Sequence, residues 1–394
     1  MKTPVYLDYQ ATTPVDPRVV EAMLPYFTVK FGNPASRQHR FGWEADEAVE
    51  HARKVIARVI GAEPREIVFT SGATEANNLA LKGIAENLRR KGDHVITAAT
   101  EHKSVLDPVH RLATAGFRCT VLPVDGDGLL DPDALRRAIT EKTILVSVMT
   151  ANNEIGTVPD IAALAAICRE RNVLFHTDAT QAVGKLGFDL RKIGADLVSF
   201  TAHKLYGPKG TGCLVVRPGA SHIKPVPQLD GGGHERGLRS GTLNVPGIVG
   251  FARAVEIAAE ELDTESARLG SLRDAMWTAF RTELGDVVLN GHPVKRLPGN
   301  LNVSFPGVED TLLMMEVKDL AISTGSACTT SSPEPSHVLK AIGAGRDRMQ
   351  SAIRFGFGRF TTSEETDYAA NRVIERVKAI RGMHTVRRQH PVAG

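Results

Sequence analysis

Apolar residues recur along the chain as short solid runs separated by stretches of helical spacing. The runs 67–70, 94–98, 120–124, 144–149, 173–177, 197–201 and 213–216 are bounded by polar or glycine positions, the pattern of buried strands. Between most of them the period lengthens to that of a helix. In 44–60, for instance, Ala45, Ala48, Val49, Ala52, Val55, Ile56 and Val59 share one face. This alternation predicts an α/β fold, a mostly parallel seven-stranded sheet with helices on both faces. A further short strand is expected at 5–9. The stretch 246–284 is strongly helical, with a break expected near Asp263 and Thr264, and 302–305, 312–317 and 321–323 read as pieces of a smaller α+β unit. The expected division is a large domain over 14–260 and a small one built from 1–13 and 261–394.

Ligands of such sheets collect beyond the carboxyl ends of the strands. The polar residues at those ends are Glu101 and His102, then Asn152, Asn153 and Glu154, then Asp178 and Gln181, and finally His203 and Lys204. The run 67–70 leads through Ser71-Gly72-Ala73-Thr74-Glu75 into a helix, a ready anion site made of N–H groups and the helix dipole. Ordinary capping by Ser71 or Thr74 is the plainer alternative. Lys204 stands where a buried strand meets a loop with glycines at 207, 210 and 212. Lost hydration there lowers an amine's pKa, and a partly neutral amine condenses with an aldehyde. Lys209 is the rival amine but reads as a solvated loop residue. His102, Asn153 and Asp178 also have plain readings as helix start, turn former and cap. Together the set meets the needs of pyridoxal 5′-phosphate: Asp178 to keep the pyridine nitrogen protonated, His102 to stack on the ring, Gln181 to donate to the phenolic oxygen and Lys204 to bind the aldehyde.

Composition narrows the classes. The 394 residues are 42% apolar with a formal net charge of +3, which offers no electrostatic case for nucleic acid or an anionic membrane. No apolar stretch reaches membrane-spanning length and the first residues hold no signal-peptide core, so a cytoplasmic protein is expected. Cys119, Cys168, Cys213 and Cys328 are far apart without a C-x-x-C, against a disulfide framework or an intrinsic metal site. The first three are expected to be core thiols. Cys328 lies in 323–333, a run of small polar residues that predicts a mobile, exposed loop and a reactive thiol; a loop cysteine without a role is the alternative. Arg354, inside the apolar run Ile353-Arg354-Phe355, calls for an anionic partner, and a substrate carboxylate suits its fork. The glycine-rich basic loop 231–242 is either a surface loop or a source of phosphate donors.

The motifs L-D-Y-Q-A-T-T-P (7–14), F-G-N-P-A-S (31–36), F-T-S-G-A-T-E (69–75), T-E-H-K-S-V-L-D (100–107), N-N-E-I-G (152–156), H-T-D-A-T-Q (176–181), H-K-L-Y-G-P-K-G (203–210), G-G-G-H-E-R-G-L-R-S-G-T (231–242) and S-T-G-S-A-C-T (323–329) occur in order. With them the chain resembles the cysteine desulfurases, pyridoxal phosphate enzymes of the class V aminotransferase group, nearest to the iron–sulfur-cluster and nitrogen-fixation type. The resemblance runs from Tyr6 to about Ile374. It implies a fold-type I homodimer in which Lys204 carries the cofactor, Ala73, Thr74, Thr201, Ala202 and His203 lie near its phosphate, and Thr242 is lent to the neighbouring subunit's phosphate. It implies that Asn153 and Arg354 hold the substrate carboxylate. It also implies that Cys328 accepts sulfur from L-cysteine and can transiently ligate an iron–sulfur cluster on a scaffold protein. Position 324 is Thr where Ser is more familiar, and the tail from 383 lacks the longer aromatic form that helps dock a scaffold. The expected activity is L-cysteine desulfuration. Another class V enzyme, an aminotransferase or a selenocysteine lyase, would leave Cys328 dispensable, and a scaffold without turnover would not need the Lys204–Asp178 pair.

Overall fold

The computed structural model describes residues 2–217, 224–324 and 336–389, without the side chains of 384–389; Cys328 and the stretch 325–333 of the expected cysteine loop lie outside the described residues. The strands are β1 (Val5–Tyr6), β2 (Ile67–Thr70), β3 (His94–Ala98), β4 (Arg118–Leu122), β5 (Thr143–Ser147), β6 (Leu174–Asp178), β7 (Leu197–Thr201), β8 (Gly212–Val216), β9 (Val288–Leu289), β10 (Asn300–Ser304), β11 (Leu320–Ala321) and β12 (Ala352–Gly356). Seven of them form one sheet in the order β2-β8-β7-β6-β5-β3-β4. From β4 to β7 all neighbours pair in parallel, whereas β8 runs against both β7 and β2. The mostly parallel seven-stranded α/β sheet expected from the pattern is therefore the one formed.

Side chains alternate across the sheet. Ile67, Phe69, Ile96, Val146, Val198 and Phe200 pack on one face with the helices Arg40–Ile60, Ile161–Glu170 and the start of Val245–Leu284. Val68, Val95, Leu145, Leu197 and Leu214 pack on the other with Ala73–Leu88 and Lys103–Thr114. The helix Arg40–Ile60 stops at Gly61, whose φ of 75° suits glycine and where a Cβ would lie 2.3 Å from Asp189 Oδ1.

A second core gathers Val5 and Leu7 from the start of the chain with Leu269, Met276, Phe280, Leu301, Val303, Phe355 and Val373 from its last third. It covers the antiparallel sheet β12-β10-β9 and the parallel pair β1-β11. The helix Val245–Leu284 joins the two cores and runs unbroken for 40 residues. The break expected near Asp263 and Thr264 does not occur. Both residues are exposed, each costs a helix only a few tenths of a kcal/mol, and buried residues on either side pin both halves in register. Asn244 caps its start by accepting from Gly247 N, and Gly285 ends it.

The edge strand β2 carries no further strand, yet its outer backbone groups are satisfied. Arg53 Nη1 donates to Ile67 O at 2.8 Å, and Glu235 Oε2 accepts from Phe69 N at 2.7 Å. Arg53 and Glu235 are themselves a buried two-pronged ion pair, at 2.9 and 2.8 Å. The glycine-rich segment 231–242 thus seals a sheet edge through Glu235.

Inside the sheet, His176 bridges β5 and β7: Nδ1 is 2.8 Å from Ser147 Oγ and Nε2 3.0 Å from Ser199 Oγ. Burial lowers its pKa to about 4, against the opposing pull of Asp178. The unfolded chain protonates this histidine near 6.5 and the folded chain only near 4, so the unfolded state binds more protons between those values. Stability should therefore fall as pH drops from about 6.5 to about 4 and level off below, by about 3 kcal/mol from this group. Urea midpoints across that window should show a steeper slope in the wild type than in His176→Gln. Identical slopes would contradict the assignment.

Candidate active site

The sheet reverses its winding between β3 and β5, where the chain departs to β4 on one side and to β6 on the other. Such a switch point leaves a crevice beyond the strand ends. A cavity of about 570 Å³ lies there, its lining drawn from Ala11 and Thr12, 71–75, His102, Ser104, Met149, Asn153, Asp178, Thr180, Gln181, Thr201, His203, Lys204 and Lys209. Ala73, Thr74, His102, Asn153, Asp178, Gln181, Thr201, His203 and Lys204, expected from sequence, are thus brought together. Ala202 is buried and Thr242 exposed, and neither is part of the lining.

At one end, the helix Ala73–Leu88 begins at Gly72 with no side-chain cap. Neither Ser71 nor Thr74 takes the capping role, which leaves the first-turn N–H groups for an anion. Gly72 has a φ of 154°, which favours glycine, and a Cβ on Gly212 would lie 2.7 Å from Gly72 Cα, so the close approach of loop and strand needs glycine at 212. Glu75 accepts from Ser71 N at 2.8 Å and pairs with Arg239 of the glycine-rich loop at 2.8 Å.

Asp178 ends β6, buried, with Oδ1 accepting from Thr180 N at 2.9 Å and Oδ2 accepting from Asn77 Nδ2 at 2.8 Å. His102 caps the helix Lys103–Thr114 through Nδ1. Its pKa is lowered by burial and by the charges of Lys204 and His337, with Asp178 and Asp107 opposing. Lys204 closes the single turn Ala202–Lys204 that follows β7, and its Nζ donates to Gln10 O at 2.6 Å. Gln181 Nε2 donates to the same carbonyl at 3.0 Å. His203 sits 3.1 Å from Thr12 Oγ1 through Nδ1, its pKa lowered to about 4 by burial and by the lysines 204, 209 and 185.

Arg354 does not line the cavity. Fully buried, it pairs with Asp8 at 2.7 Å and donates to Asn153 O at 3.0 Å, while its Nε has no partner among the described residues. The anionic partner expected from sequence is thus a protein carboxylate in this state, with one donor left over. The flanks of the segment that holds Cys328 reach the same neighbourhood. Ser323 exchanges backbone bonds with Arg354 at 3.2 and 2.7 Å, Ser336 Oγ bonds to the buried Glu154 carboxyl, and His337 Nε2 lies 2.9 Å from Glu101 O.

The donor set fits pyridoxal phosphate. A buried carboxylate, an amine, a flat imidazole and an uncapped helix start face one space of the right size, and Thr180 Oγ1 in the lining is buried without a partner among the described residues. Sequence reasoning missed Asn77, Ser104 and Lys185. Asn77 falls on the buried stripe with Ala80, Leu81 and Ile84, and a polar residue on such a stripe is the signal that was there to find. Lys185 donates to Gln181 Oε1, which turns the amide nitrogen of Gln181 toward Gln10 O. Burial and the charge of Lys204 lower its pKa to about 7.

Comparison with known proteins agrees with this geometry. The model of the family Aminotransferase class-V matches residues 5–368. The chain is 54% identical over 383 residues to Cysteine desulfurase IscS of Anaeromyxobacter dehalogenans (strain 2CP-C), covering 97% of this chain and 95% of that one. It is 50% identical over 380 residues to Cysteine desulfurase IscS of Rickettsia rickettsii (strain Iowa), covering 96% and 92%. A solved NifS-like protein, 39% identical, superposes with a TM-score of 0.89 over 95% of this chain and 99% of its own.

Proposed function

Because the chain belongs to the class-V aminotransferase family and is a pyridoxal-phosphate-dependent cysteine desulfurase, we propose that it converts L-cysteine to L-alanine with Lys204 as the cofactor lysine and Cys328 as the sulfur acceptor. The observation that carries this reading is the convergence of Lys204, Asp178, His102 and the uncapped helix start on one cavity. Bound there, pyridoxal phosphate supplies an aldehyde that captures an amine and a ring that takes up the electron pair released at the substrate α-carbon.

The chain's own residues do the rest. First-turn N–H groups with Thr74, Thr201 and His203 hold the phosphate, with buried Ala202 shaping the turn beneath them. Asp178, its carboxylate oriented by Asn77 and Thr180, keeps the ring nitrogen protonated. Gln181 donates to the phenolic oxygen and His102 stacks. Once substrate has displaced it, the Lys204 amine takes the α-proton. Asn153 and Arg354 hold the substrate carboxylate, which must compete with Asp8 for the guanidinium. The Cys328 thiolate then attacks the substrate sulfur. A sulfur–sulfur bond forms as the carbon–sulfur bond breaks, and the carbon keeps the released pair and takes a proton to become the alanine methyl group.

The 14–260 unit would hold the cofactor and the unit of 1–13 with 261–394 would carry the cysteine segment, a division supported by the packing of Val5 and Leu7 with the last third of the chain in a core of their own. The working form is a homodimer. Leu24, Phe27, Val29, Phe31, Phe41 and Trp43 form an exposed apolar stretch that a second copy would cover, and Thr242, exposed and not part of its own cavity lining, would serve the neighbour's phosphate. No helix among the described residues is long and apolar enough to cross a membrane, and we place the enzyme in the cytoplasm, passing sulfur to an acceptor or iron–sulfur scaffold protein. The test is product analysis: L-cysteine with a reductant should give sulfide and alanine in equal amounts. A keto acid in place of alanine would sink this reading in favour of an aminotransferase.

A further inference from the structure

We propose that Asn77 and Ser104 are positioning residues that hold His102 as the tautomer protonated at Nε2, through a one-way hydrogen-bond chain starting at the Asp178 carboxylate. Its bearing on catalysis rests on the cofactor reading of the cavity given above.

The direction of the chain follows from donor and acceptor capacity alone. An ionised carboxylate only accepts, so the Asn77 atom 2.8 Å from Asp178 Oδ2 must be the amide nitrogen. That nitrogen has a second hydrogen, and Ser104 Oγ lies 2.9 Å away. The hydroxyl, accepting from Asn77, keeps its own hydrogen to give, and His102 Nδ1 is 2.8 Å distant. The backbone N–H of Ser104 also points at Nδ1, at 3.1 Å. A ring nitrogen that accepts from an N–H carries no proton itself, so the neutral ring is protonated at Nε2. Burial and the Lys204 and His337 charges, which outweigh Asp178 and Asp107, keep the ring neutral.

Two details argue that the chain is built rather than incidental. Asn77 is fully buried on an apolar helix face, a placement that is costly unless its amide is bonded. Its Oδ1 has no partner among the described residues, so the amide meets the carboxylate with its nitrogen and forgoes a bond there on the other side. The same carboxylate that holds the cofactor nitrogen thereby sets which nitrogen of the stacking imidazole can give a proton and which cannot. The bond from Asn77 to Asp178, across 101 residues of sequence, ties the carboxylate and the imidazole into one unit.

Neutron diffraction from deuterium-exchanged holoenzyme crystals tests this directly. Deuterium is expected on His102 Nε2, none on Nδ1, and the Ser104 hydroxyl deuterium should point at Nδ1. Deuterium on Nδ1, alone or together with Nε2, overturns the proposal. In solution, Ser104→Ala should lower kcat about tenfold while KM, bound cofactor and melting temperature stay close to wild type. An unchanged kcat, or a fall matched by lost cofactor, would also overturn it. Cofactor fixed by borohydride on a lysine other than Lys204 would sink the cavity reading instead, and leaves the deuterium positions to be judged on their own.

Discussion

Replacing Lys204 by alanine is expected to lower alanine formation from L-cysteine by roughly 10³-fold or more. In the proposed mechanism the amine has two tasks, to hold the cofactor aldehyde and then to remove the α-proton, and no other side chain among the described residues is placed for both. Its position is set by the turn that follows β7 and by the carbonyl of Gln10, 2.6 Å from Nζ. Lys209 lines the same cavity but is exposed, and Lys185 faces Gln181 outside the lining. Borohydride treatment of the wild-type holoenzyme should leave the cofactor on the peptide that contains Lys204, and recovery on the Lys209 peptide would overturn the assignment. The variant also reports on assembly. In a heterodimer of Lys204→Ala and Thr242→Ala chains, one site carries both lesions and the other neither, so activity should return if Thr242 serves the neighbour. No recovery in proven heterodimers would mean that each site is built within one chain.

Cys328→Ser should bind cofactor and cysteine yet release sulfide at least about 100-fold more slowly. The other cysteines are chemically unsuited to the task. Cys168 and Cys213 are buried, and burial pushes the Cys168 thiol up to about 12 and the Cys213 thiol well above its ordinary value. At pH 7 a thiol of pKa about 12 is ionised in only about one molecule in 10⁵. Cys119 is half-buried rather than fully buried as expected; its Sγ lies 3.3 Å from Val109 O, and burial raises its pKa as well. Alanine at any of these three positions should leave sulfide release close to wild type. A Cys328→Ser enzyme with full activity would leave the aminotransferase reading standing.

Much of the scaffold was legible in the sequence because buried parallel strands are solid apolar runs. The strands 67–70, 94–98 and 197–201 fall where the pattern put them, and the other four of the large sheet shift by one or two residues. The larger shifts have physical reasons. β4 is an edge strand with exposed and half-buried positions, so its start at Arg118 carries no apolar mark and the run was placed at 120–124. The strand expected at 5–9 shortens to Val5–Tyr6 because its partner β11 is only two residues long. The site residues at strand ends were legible for the same reason as the strands. Asn77, Ser104 and Lys185 were not, since their roles depend on contacts that chain order hides: Asn77 meets a carboxylate on another element, and Lys185 acts only by turning a neighbouring amide. Arg354 lies between. Its need for an anion was readable, but its partner Asp8 stands 346 residues away.

The central claim is that sulfur leaves L-cysteine by way of one thiol of this chain. Holoenzyme given L-cysteine without reductant, digested without thiols and mapped by mass spectrometry, should carry one added sulfur on the peptide containing Cys328. Added sulfur on the peptide of Cys119, Cys168 or Cys213, or alanine formed with no sulfur on Cys328, would contradict it.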